Sequence, residues 1–521
     1  MFGVESKVFG LDGKVFLHVV LEYGIFPTFL RPIEELFMLV LVRPGPEINL
    51  KSDRIRAKFL RKLRGNIESA LNKAGVEFTI TMKWSRIFVE INDSHKGLEA
   101  LQRVFGVSSL SPVEHIAEPT MESMEAAISK YKEMVAGKKF CVRVKRYQVP
   151  GFKSFELERG LGGILYPHSA GVDLTEPEVK VEVAMTKEGV FFSSQRLAGP
   201  GGLPLGVEGK ALCLISGGFD SAVAAYLMMK RGVACDFLFC NLAGGSYERS
   251  VLGVTKGLVS NWSYGYKPKI HILDFAPVIK NIKSTVRGGY AQLILKRAMY
   301  KAANAVAANS EDCIGLITGE AVGQVSSQTL KNLGAINDAS ELIVFRPLVS
   351  FDKEEIIRLS RKIGTYDLCA PIKEYCSIES RKPVTGSNPQ KAKKEQDRLD
   401  LALIDKSVEQ AKVLNIWDLD SRILSEEYCS ISTIIKGAVV LDCRTRAEYE
   451  EWHYPGSLHL EYETLVKAYS KFDKAKSYVL YCPWGLQTAV IAEKMQDSGY
   501  EAYSFKGGVP SLMKYAKTLD S

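Results

Sequence analysis

Short apolar runs and amphipathic segments alternate along most of the chain, and their spacing divides it into successive regions of mixed helix and strand. The apolar run Leu36–Val42 predicts a strand. Apolar residues at helical spacing predict a helix over Arg54–Lys73, and strands follow at Phe78–Met82 and Ile87–Ile91. Together with a helix near Gly97–Phe105, these elements predict a small α+β domain.

A second α+β region extends to about residue 196. Its predicted elements are a helix at Met121–Val135, a strand of alternating apolar and polar residues at Lys139–Arg146, a glycine-rich helix at Ser154–Leu165, and strands at Val179–Met185 and Val190–Ser194. The glycine cluster at 199–202 then predicts a hinge.

From Lys210 the pattern changes to alternating strands and helices, with apolar strands at 211–215, 234–240, 269–273 and 313–318. This order predicts a doubly wound parallel sheet, in which ligands bind at the carboxyl ends of the strands. A charged stretch at 391–398 leads into a helical connector, and residues 430–521 form a last α/β region.

Composition supports a multidomain globular protein. A chain of 521 residues is too long to fold around a single hydrophobic core and indicates three or four domains. Its content of 46% hydrophobic and 25% charged residues is typical of an ordinary globular protein. The ten cysteines show no paired Cys-x-x-Cys spacing, which argues against a disulfide framework or zinc ribbon and favours a reducing compartment. The apolar stretch Val15–Leu30 is interrupted by charge and proline and is too short to cross a bilayer. We therefore expect a cytoplasmic protein without a membrane partner.

The positive charge is unevenly placed. The net charge of +8 arises upstream of residue 434, because residues 434–521 carry equal numbers of basic and acidic side chains. Eight basic residues lie between Arg43 and Arg64. This bias indicates either a polyanionic partner of the N-terminal part or simply a solvated helix face.

The segment Ser216–Ser221, Ser-Gly-Gly-Phe-Asp-Ser, carries the most specific chemistry. It follows the apolar strand Ala211–Ile215 and precedes the helical segment Ala222–Lys230. A glycine turn entering a helix presents backbone N–H groups to an anion such as phosphate. No Gly-Lys-Ser/Thr follows, so it is not a Walker sequence. Taken alone, the segment also fits a glycine turn without a ligand.

Five separated stretches, in order, resemble the bacterial tRNA 4-thiouridine synthases, also called tRNA sulfurtransferases. They are Phe140–Arg146, Gly201–Gly206, the PP-loop Ser216–Ser221, Thr318–Gln328 and Glu374–Ser377. The resemblance extends from about Leu36 to the C-terminus. It implies a ferredoxin-like domain at 36–91, a THUMP RNA-binding domain at 92–196, a PP-loop ATP pyrophosphatase domain at 205–395, a linker at 396–429 and a rhodanese domain at 430–521. Residues 1–35 form an extension to which no role is assigned.

The family's reaction converts uridine at position 8 of tRNA to 4-thiouridine with ATP and persulfide sulfur. The uracil C4 oxygen is a poor leaving group, so it is first adenylated. The resemblance implies that Asp220 is catalytic and that Asp220 holds the ATP together with a set of other residues: Leu214, Ile215, Ser216, Gly217, Gly218, Ser221, Lys296, Gly319 and Gln328. Among them, Lys296 is expected to be a phosphate cation. Magnesium on the phosphates is expected to neutralise charge, with no protein metal ligand identified.

The C-terminal region resembles the rhodanese signature at Val439–Tyr449 and His453–Gly456. A predicted strand, Tyr478–Cys482, ends in a cysteine before a loop and helix, where backbone dipoles favour a thiolate or persulfide anion. Cys482 is therefore the expected persulfide carrier, and Cys443 is expected to be a packing residue. The loop 483–488 lacks the arginine or lysine of many rhodaneses, so a cysteine desulfurase is a better expected donor than thiosulfate.

Cys376, within Glu374–Ser377, matches the family's second cysteine. The resemblance implies a Cys376–Cys482 disulfide after sulfur transfer, which a cellular thiol reductant reopens in each turnover. Cys369 is a rival for this role. A metal site at the two cysteines is not expected, because no other ligands cluster there.

The expected partners include tRNA. Its target base must leave the stack to be modified, and phosphate contacts are expected from Arg54, Arg61, Arg143, Lys145 and Arg146. The family also implies sulfur delivery to a sulfur-carrier protein for thiamine thiazole synthesis. Two alternatives stay open from sequence: a tRNA-binding sulfur-relay protein without ATP chemistry, and another PP-loop adenylating enzyme such as an amidating ligase.

Overall fold

The structure is a computed structural model that describes residues 6–11, 14–19, 37–83, 86–117, 119–147, 153–187, 189–242, 244–310, 312–370, 372, 382–419 and 429–519. The chain divides into two compact units, residues 1–201 and 202–521. No helix within the described ranges combines the length and the apolar character that crossing a membrane requires.

The first unit contains short helices between strands. In chain order these are β1 (Ser6–Leu11), β2 (Lys14–Val19), β3 (Met38–Pro44), α1 (Pro46–Asn49), α2 (Asp53–Ala74), β4 (Phe78–Lys83), β5 (Arg86–Ile91), α3 (Ser94–Leu101), β6 (Val107–Pro112), β7 (Glu114–Ile116), α4 (Met121–Ser129), α5 (Lys132–Val135), β8 (Lys139–Arg146), α6 (Ser154–Leu165), β9 (Gly171–Val172), β10 (Val179–Thr186), β11 (Gly189–Ser193) and β12 (Leu197–Ala198). Strands β1 and β2 pair antiparallel.

The predicted first α+β domain is an antiparallel sheet in the order β12-β6-β3-β5-β4. Helix α2 buries Leu63, Ile67 and Leu71 completely, as its helical spacing predicts. Ile55, one turn from the start, is 40% exposed and lies outside this core. Strand β6 was absent from the prediction.

The second sheet has the order β7-β11-β10-β8-β9, with β8 and β10 parallel. Helices α4 and α6 cover it with apolar residues such as Met124 and Leu161. The single helix predicted over Met121–Val135 is interrupted, because α4 ends at Ser129 and α5 begins at Lys132.

The second unit begins with the predicted alternating region. Its elements are β13 (Lys210–Leu214), α7 (Phe219–Lys230), β14 (Ala234–Asn241), α8 (Gly245–Trp262), β15 (Lys269–Asp274), α9 (Ala276–Thr285), α10 (Ala291–Ala308), β16 (Cys313–Ile317), α11 (Leu330–Asn337), β17 (Ile343–Phe345), α12 (Lys353–Lys362), α13 (Tyr366–Cys369), α14 (Pro389–Gln396), α15 (Ala402–Glu409) and β18 (Lys412–Asn415).

These strands form a sheet in the order β17-β16-β13-β14-β15-β18. All neighbours are parallel except β15 and β18, which pair antiparallel. The doubly wound parallel sheet is therefore confirmed with one antiparallel edge strand. That strand lies at 412–415, so the sheet continues beyond the predicted domain boundary at residue 395.

The C-terminal part of this unit is a parallel sheet in the order β19-β23-β22-β20-β21. Its elements are β19 (Ser430–Ile431), β20 (Val439–Asp442), α16 (Arg446–Glu451), β21 (Leu458–His459), α17 (Tyr462–Ala468), β22 (Ser477–Tyr481), α18 (Leu486–Asp497), β23 (Glu501–Phe505) and α19 (Gly508–Leu519). Leu480 of β22 and Ile491 of α18 are part of the apolar core on one face of this sheet, and Val479 and Leu512 are part of a second apolar cluster.

Candidate nucleotide and sulfur-transfer site

The PP-loop connects β13 to α7 at the centre of the parallel sheet. Gly217 has a φ of +82°, which favours glycine. The Ser221 hydroxyl closes the turn by accepting from the backbone N–H of Ser216 at 3.3 Å and donating to the Gly218 carbonyl at 3.1 Å. Helix α7 begins at Phe219, so Asp220 and Ser221 lie in its first turn rather than before it. The loop thus directs a helix N-terminus toward the carboxyl edge of the sheet.

A cavity of about 600 Å³ opens at this edge. Most residues that the resemblance assigned to ATP line it: Leu214, Ile215, Ser216, Asp220, Ser221, Lys296, Gly319 and Gln328. Gly217 and Gly218 shape the turn but are not among the lining residues. Gly319 passes so close to α7 that a β-carbon there would lie 2.5 Å from the Asp220 carbonyl carbon. The cavity therefore gathers strand ends and a helix N-terminus, as an anionic nucleotide requires.

Asp220 is 8% exposed and contacts two side chains that the sequence did not predict. Lys353 Nζ lies 3.0 Å from one carboxylate oxygen, and Gln324 Nε2 donates to the other at 2.8 Å. Lys353 is the first residue of α12, 133 positions from Asp220, so no local motif identifies it. Within the described residues, no group of His, Cys, Asp or Glu could hold a metal ion by itself.

Lys296, the expected phosphate cation, is paired with buried Glu320 at 3.0 Å. The same carboxylate receives hydrogen bonds from Tyr300 at 2.7 Å and Arg346 at 3.0 Å. Burial alone would raise the pKa of Glu320, but the charges of Lys296 and Arg346 and the tyrosine hydrogen bond outweigh it and lower the pKa to about 2. Glu320 thus fixes the Lys296 ammonium at the cavity wall.

Cys482 follows β22 directly and is 1% exposed. Gly485, with a φ of +84°, ends the loop and is the N-cap of α18. The Thr488 hydroxyl, in the first turn of α18, lies 3.4 Å from Cys482 Sγ. Cys443 is also buried, and burial raises its pKa well above the usual range, which suits the packing role expected of it.

A second cavity, of about 430 Å³, surrounds Cys482. Its lining includes Ala370 and Ile372 from the PP-loop region. Ile372 also reaches the PP-loop, because its Cδ1 lies 3.2 Å from the position that a β-carbon on Gly217 would occupy. One side chain thus contacts the nucleotide-binding loop and the wall of the thiol cavity.

The two cysteines considered as partners of Cys482 differ in what the structure describes. Cys376 lies outside the described residues. Cys369, the rival, ends α13 and is fully buried, and burial raises its pKa to about 12. A thiol with such a pKa is a poor nucleophile near neutral pH, so the environment of Cys369 does not favour the redox role.

In the first unit, a cleft of about 640 Å³ is strongly basic. The basic residues that line it are Arg43, Arg56, Arg86, Arg143, Lys145 and Arg196. Arg86 stacks on Tyr147 with the guanidinium 4.0 Å from the ring centroid. Glu182 supplies a carboxylate, 3.7 Å from Arg43. Cations interleaved with aromatic rings are the combination that binds nucleic acid.

The structure separates the predicted RNA contacts. Arg143 and Lys145 lie in the cleft, whereas Arg54 and Arg61 are on the exposed face of α2, outside it. Arg146 is exposed and donates to Ser154. The sequence did not identify Arg86 and Arg196 as cleft residues, because each is a single basic residue in or after a strand.

Family models match nearly all of the chain beyond residue 38. They are the ThiI ferredoxin-like domain at 39–111, the THUMP domain at 115–195, Thiamine biosynthesis protein (ThiI) at 206–401 and the Rhodanese-like domain at 431–514. The predicted ferredoxin-like, THUMP, PP-loop and rhodanese folds are therefore confirmed.

Curated relatives match over similar lengths. A tRNA sulfurtransferase of Shewanella woodyi is 35% identical over 89% of this chain and 99% of its own, and one of Thermoplasma acidophilum is 35% identical over 88% and 92%. A crystal structure of a 4-thiouridine synthetase–RNA complex with bound ATP is 28% identical, with a TM-score of 0.66, over 73% of this chain and 99% of that one. The chain belongs to the tRNA sulfurtransferase family.

Proposed function

We propose that this protein converts uridine at position 8 of tRNA to 4-thiouridine, with ATP and a sulfur atom carried as a persulfide on Cys482. The observation that carries the proposal is the position of Ile372, which contacts the PP-loop and lines the Cys482 cavity. An activated base in the first cavity and a sulfur carrier in the second would then lie on either side of one short segment.

The first cavity supports the ATP step. The PP-loop amides, the α7 N-terminus and Lys296 suit the phosphates. Mg²⁺, if held by the phosphates and Asp220, would neutralise charge where pyrophosphate leaves. Lys353 and Gln324 hold the Asp220 carboxylate in place. These contacts favour the adenylating enzyme over a sulfur-relay protein without ATP chemistry.

The second cavity supports the sulfur step. The terminal sulfur of the Cys482 persulfide attacks C4 of the base, and AMP leaves with the original oxygen. Cys376 then attacks Cys482 Sγ, which releases the thiolated base and leaves a Cys376–Cys482 disulfide for a thiol reductant to reopen. The buried state of Cys369 supports the choice of Cys376.

The charge around Cys482 supports a protein donor such as a cysteine desulfurase. Glu448, Glu461 and Glu463 line the cavity. The lining guanidinium, that of Arg444, is held by Asp442 at 2.7 Å and by the Trp452 carbonyl. An anion such as thiosulfate would meet three carboxylates and a cation that is already paired.

Recognition of tRNA is assigned to the basic cleft of the first unit. Its cations can neutralise phosphates, and Tyr147 and Phe191 supply aromatic surface. A second role, sulfur delivery to a sulfur-carrier protein for thiazole synthesis, is supported by the description of the model matched at 206–401, Thiamine biosynthesis protein.

Replacing Cys482 by serine tests the proposal. In cells that carry Cys482→Ser, 4-thiouridine should disappear from tRNA, while purified variant still forms AMP from ATP with tRNA. Cys443→Ala is the matched control, since Cys443 lines the same cavity and should be dispensable. Mass spectrometry of tRNA nucleosides gives the first readout and AMP formation the second. Normal thiolation in Cys482→Ser would remove the rhodanese domain from the mechanism, and absence of AMP formation in the wild type would favour a relay protein.

A further inference from the structure

One carboxylate joins the two halves of the second unit. Glu493 lies in the third turn of α18, and its Oε1 accepts a hydrogen bond from the backbone N–H of Gly245 at 3.1 Å. Gly245 is the first residue of α8, 248 positions away. Because the first N–H groups of a helix have no partner within the helix, this carboxylate satisfies a donor that would otherwise need water.

The α8 N-terminus is shaped for this contact. A β-carbon on Gly245 would lie 2.9 Å from Glu493 Oε1 and 3.4 Å from Arg249 Nη1, so the glycine leaves room for both groups. The Asn241 side chain holds the preceding turn through the backbone of Gly244, at 3.0 Å and 3.1 Å. The carboxylate therefore meets a helix end that Asn241 holds at Gly244.

Both helices begin at functional loops. Helix α18 starts at the loop that carries Cys482, so Glu493 and the thiol share one rigid element. Helix α8 contacts the nucleotide site in its first turn, where the Tyr247 hydroxyl donates to the Ser216 carbonyl at 2.7 Å. The Glu493–Gly245 contact thus connects the element that carries sulfur to the element that supports the PP-loop.

We propose that Glu493 is a positioning residue that docks the rhodanese domain on the α8 N-terminus, so that the Cys482 cavity faces Ala370 and Ile372. This inference rests on the proposed function. The contact acts on delivery of sulfur from Cys482 to the activated base. It takes no part in loading Cys482 from the donor or in forming AMP, because neither step needs the two cavities to be aligned.

The test uses full-length Glu493→Ala and Gly245→Ala, with Asp497→Ala as control, an exposed acid on the same helix. Proteins preloaded with persulfide are mixed with ATP and tRNA in single turnovers. Glu493→Ala should slow 4-thiouridine formation on the order of tenfold to a hundredfold, the cost of misplaced reactants. Gly245→Ala should slow it in the same direction, and Asp497→Ala should match the wild type. Persulfide loading should stay within about twofold in every variant, and AMP formation should do so in Glu493→Ala and Asp497→Ala.

Hydrogen exchange gives a readout that does not depend on activity. The Gly245 amide should exchange faster in Glu493→Ala than in the wild type. Its exchange rate in Asp497→Ala should equal that of the wild type. The docking role would be overturned if Glu493→Ala transferred sulfur to tRNA at the wild-type rate and its Gly245 amide exchanged at the wild-type rate. Loss of persulfide loading in Glu493→Ala would also overturn it, by indicating damage to the rhodanese fold. A wild-type protein that makes no 4-thiouridine would contradict the proposed function instead, while the exchange result would still decide whether Glu493 docks the domain.

Discussion

Lys353 shows how a residue far from the motif can determine how the motif works. Its ammonium lies 3.0 Å from Asp220, and its position at the start of α12 is fixed by the Asp352–Glu355 capping box. Without this cation, the Asp220 carboxylate would repel the phosphates of a nucleotide.

Replacing Lys353 by methionine should therefore lower the rate of AMP formation, on the order of a hundredfold, as expected for loss of one charged group at a phosphoryl-transfer site. Lys353→Arg should restore part of it. Lys362→Met, at the exposed end of the same helix, is the matched control. AMP formation with tRNA and ATP affinity are the measurements. An unaffected Lys353→Met would show that the ion pair is only structural.

Glu320 gives a stability that depends on pH. Its pKa falls from 4.5 to about 2 on folding, because Lys296 and Arg346 favour the charged form. A depressed carboxyl pKa contributes stability that is complete above about pH 4.5 and is lost as the pH falls toward about 2.

Glu320→Gln should consequently unfold more easily at neutral pH, by about 3–5 kcal/mol, since it leaves the partly buried Lys296 and Arg346 without their anion. Its urea midpoint should also fall less steeply than that of the wild type as the pH is lowered below about 4.5, where the wild type begins to lose the contribution of the charged Glu320. Exposed Glu354→Gln is the control. Parallel pH curves for wild type and Glu320→Gln would contradict the assignment of the pKa.

At the scale of these residues, sequence predicts what is local. The PP-loop residues are contiguous and recognisable, and Glu320 and Gln324 lie within the recognised stretch Thr318–Gln328. Their contacts at the site, and the position of Lys353, depend on tertiary packing. The sequence predicts Lys296 as a phosphate cation. It does not predict the ion pair between Lys296 and Glu320, because no pattern in a single sequence identifies which buried residue will be the partner.

Between elements, the nucleotide cavity depends on the close approach of the segment after β16 to α7. A β-carbon on Gly319 would lie 2.5 Å from the Asp220 carbonyl carbon and 2.7 Å from the Ser221 nitrogen. These are backbone atoms, so neither can move without displacing the PP-loop.

Gly319→Ala should thus weaken ATP binding by about tenfold or more and reduce the free energy of unfolding by about 1–3 kcal/mol. Gly334→Ala is the control, because a β-carbon there meets open space on helix α11. Its helix should gain stability, up to about 1 kcal/mol. Titration with a non-hydrolysable ATP analogue and urea unfolding measure both variants. If Gly319→Ala bound the analogue as tightly as the wild type, the PP-loop could shift without loss of ATP affinity.

Two of the strands that sequence missed, β17 and β18, share a physical cause. Central strands such as β14 are buried on both faces and appear as continuous apolar runs. Edge strands β17 and β18 are three and four residues long and expose Ile343 and Val413 at 67% and 48%. Strands of three or four residues are too short to show a period, so hydrophobic pattern alone does not distinguish them from loops.

Across the whole molecule, charge is concentrated where the proposed chemistry needs it. The basic cleft lies in the first unit, while acidic side chains surround Cys482 in the second. The sequence predicted a basic front part, but it could not distinguish a cleft from a solvated helix face, because that depends on which strands become neighbours.

Two double variants of equal charge distinguish these surfaces. Arg143→Ala with Lys145→Ala removes two cations from the cleft, and Arg54→Ala with Arg61→Ala removes two from the exposed face of α2. If the cleft binds phosphates, the cleft variant should reduce the slope of log affinity for tRNA against log salt by about 0.7–0.9 per lost contact, and the helix variant should change it little. Filter binding at several salt concentrations measures both slopes. Equal reductions of the salt slope in the two double variants would indicate that tRNA is attracted only by the long-range potential of the protein. Such a potential depends on the total charge, whereas a binding site loses a phosphate contact only when a residue of that site is replaced.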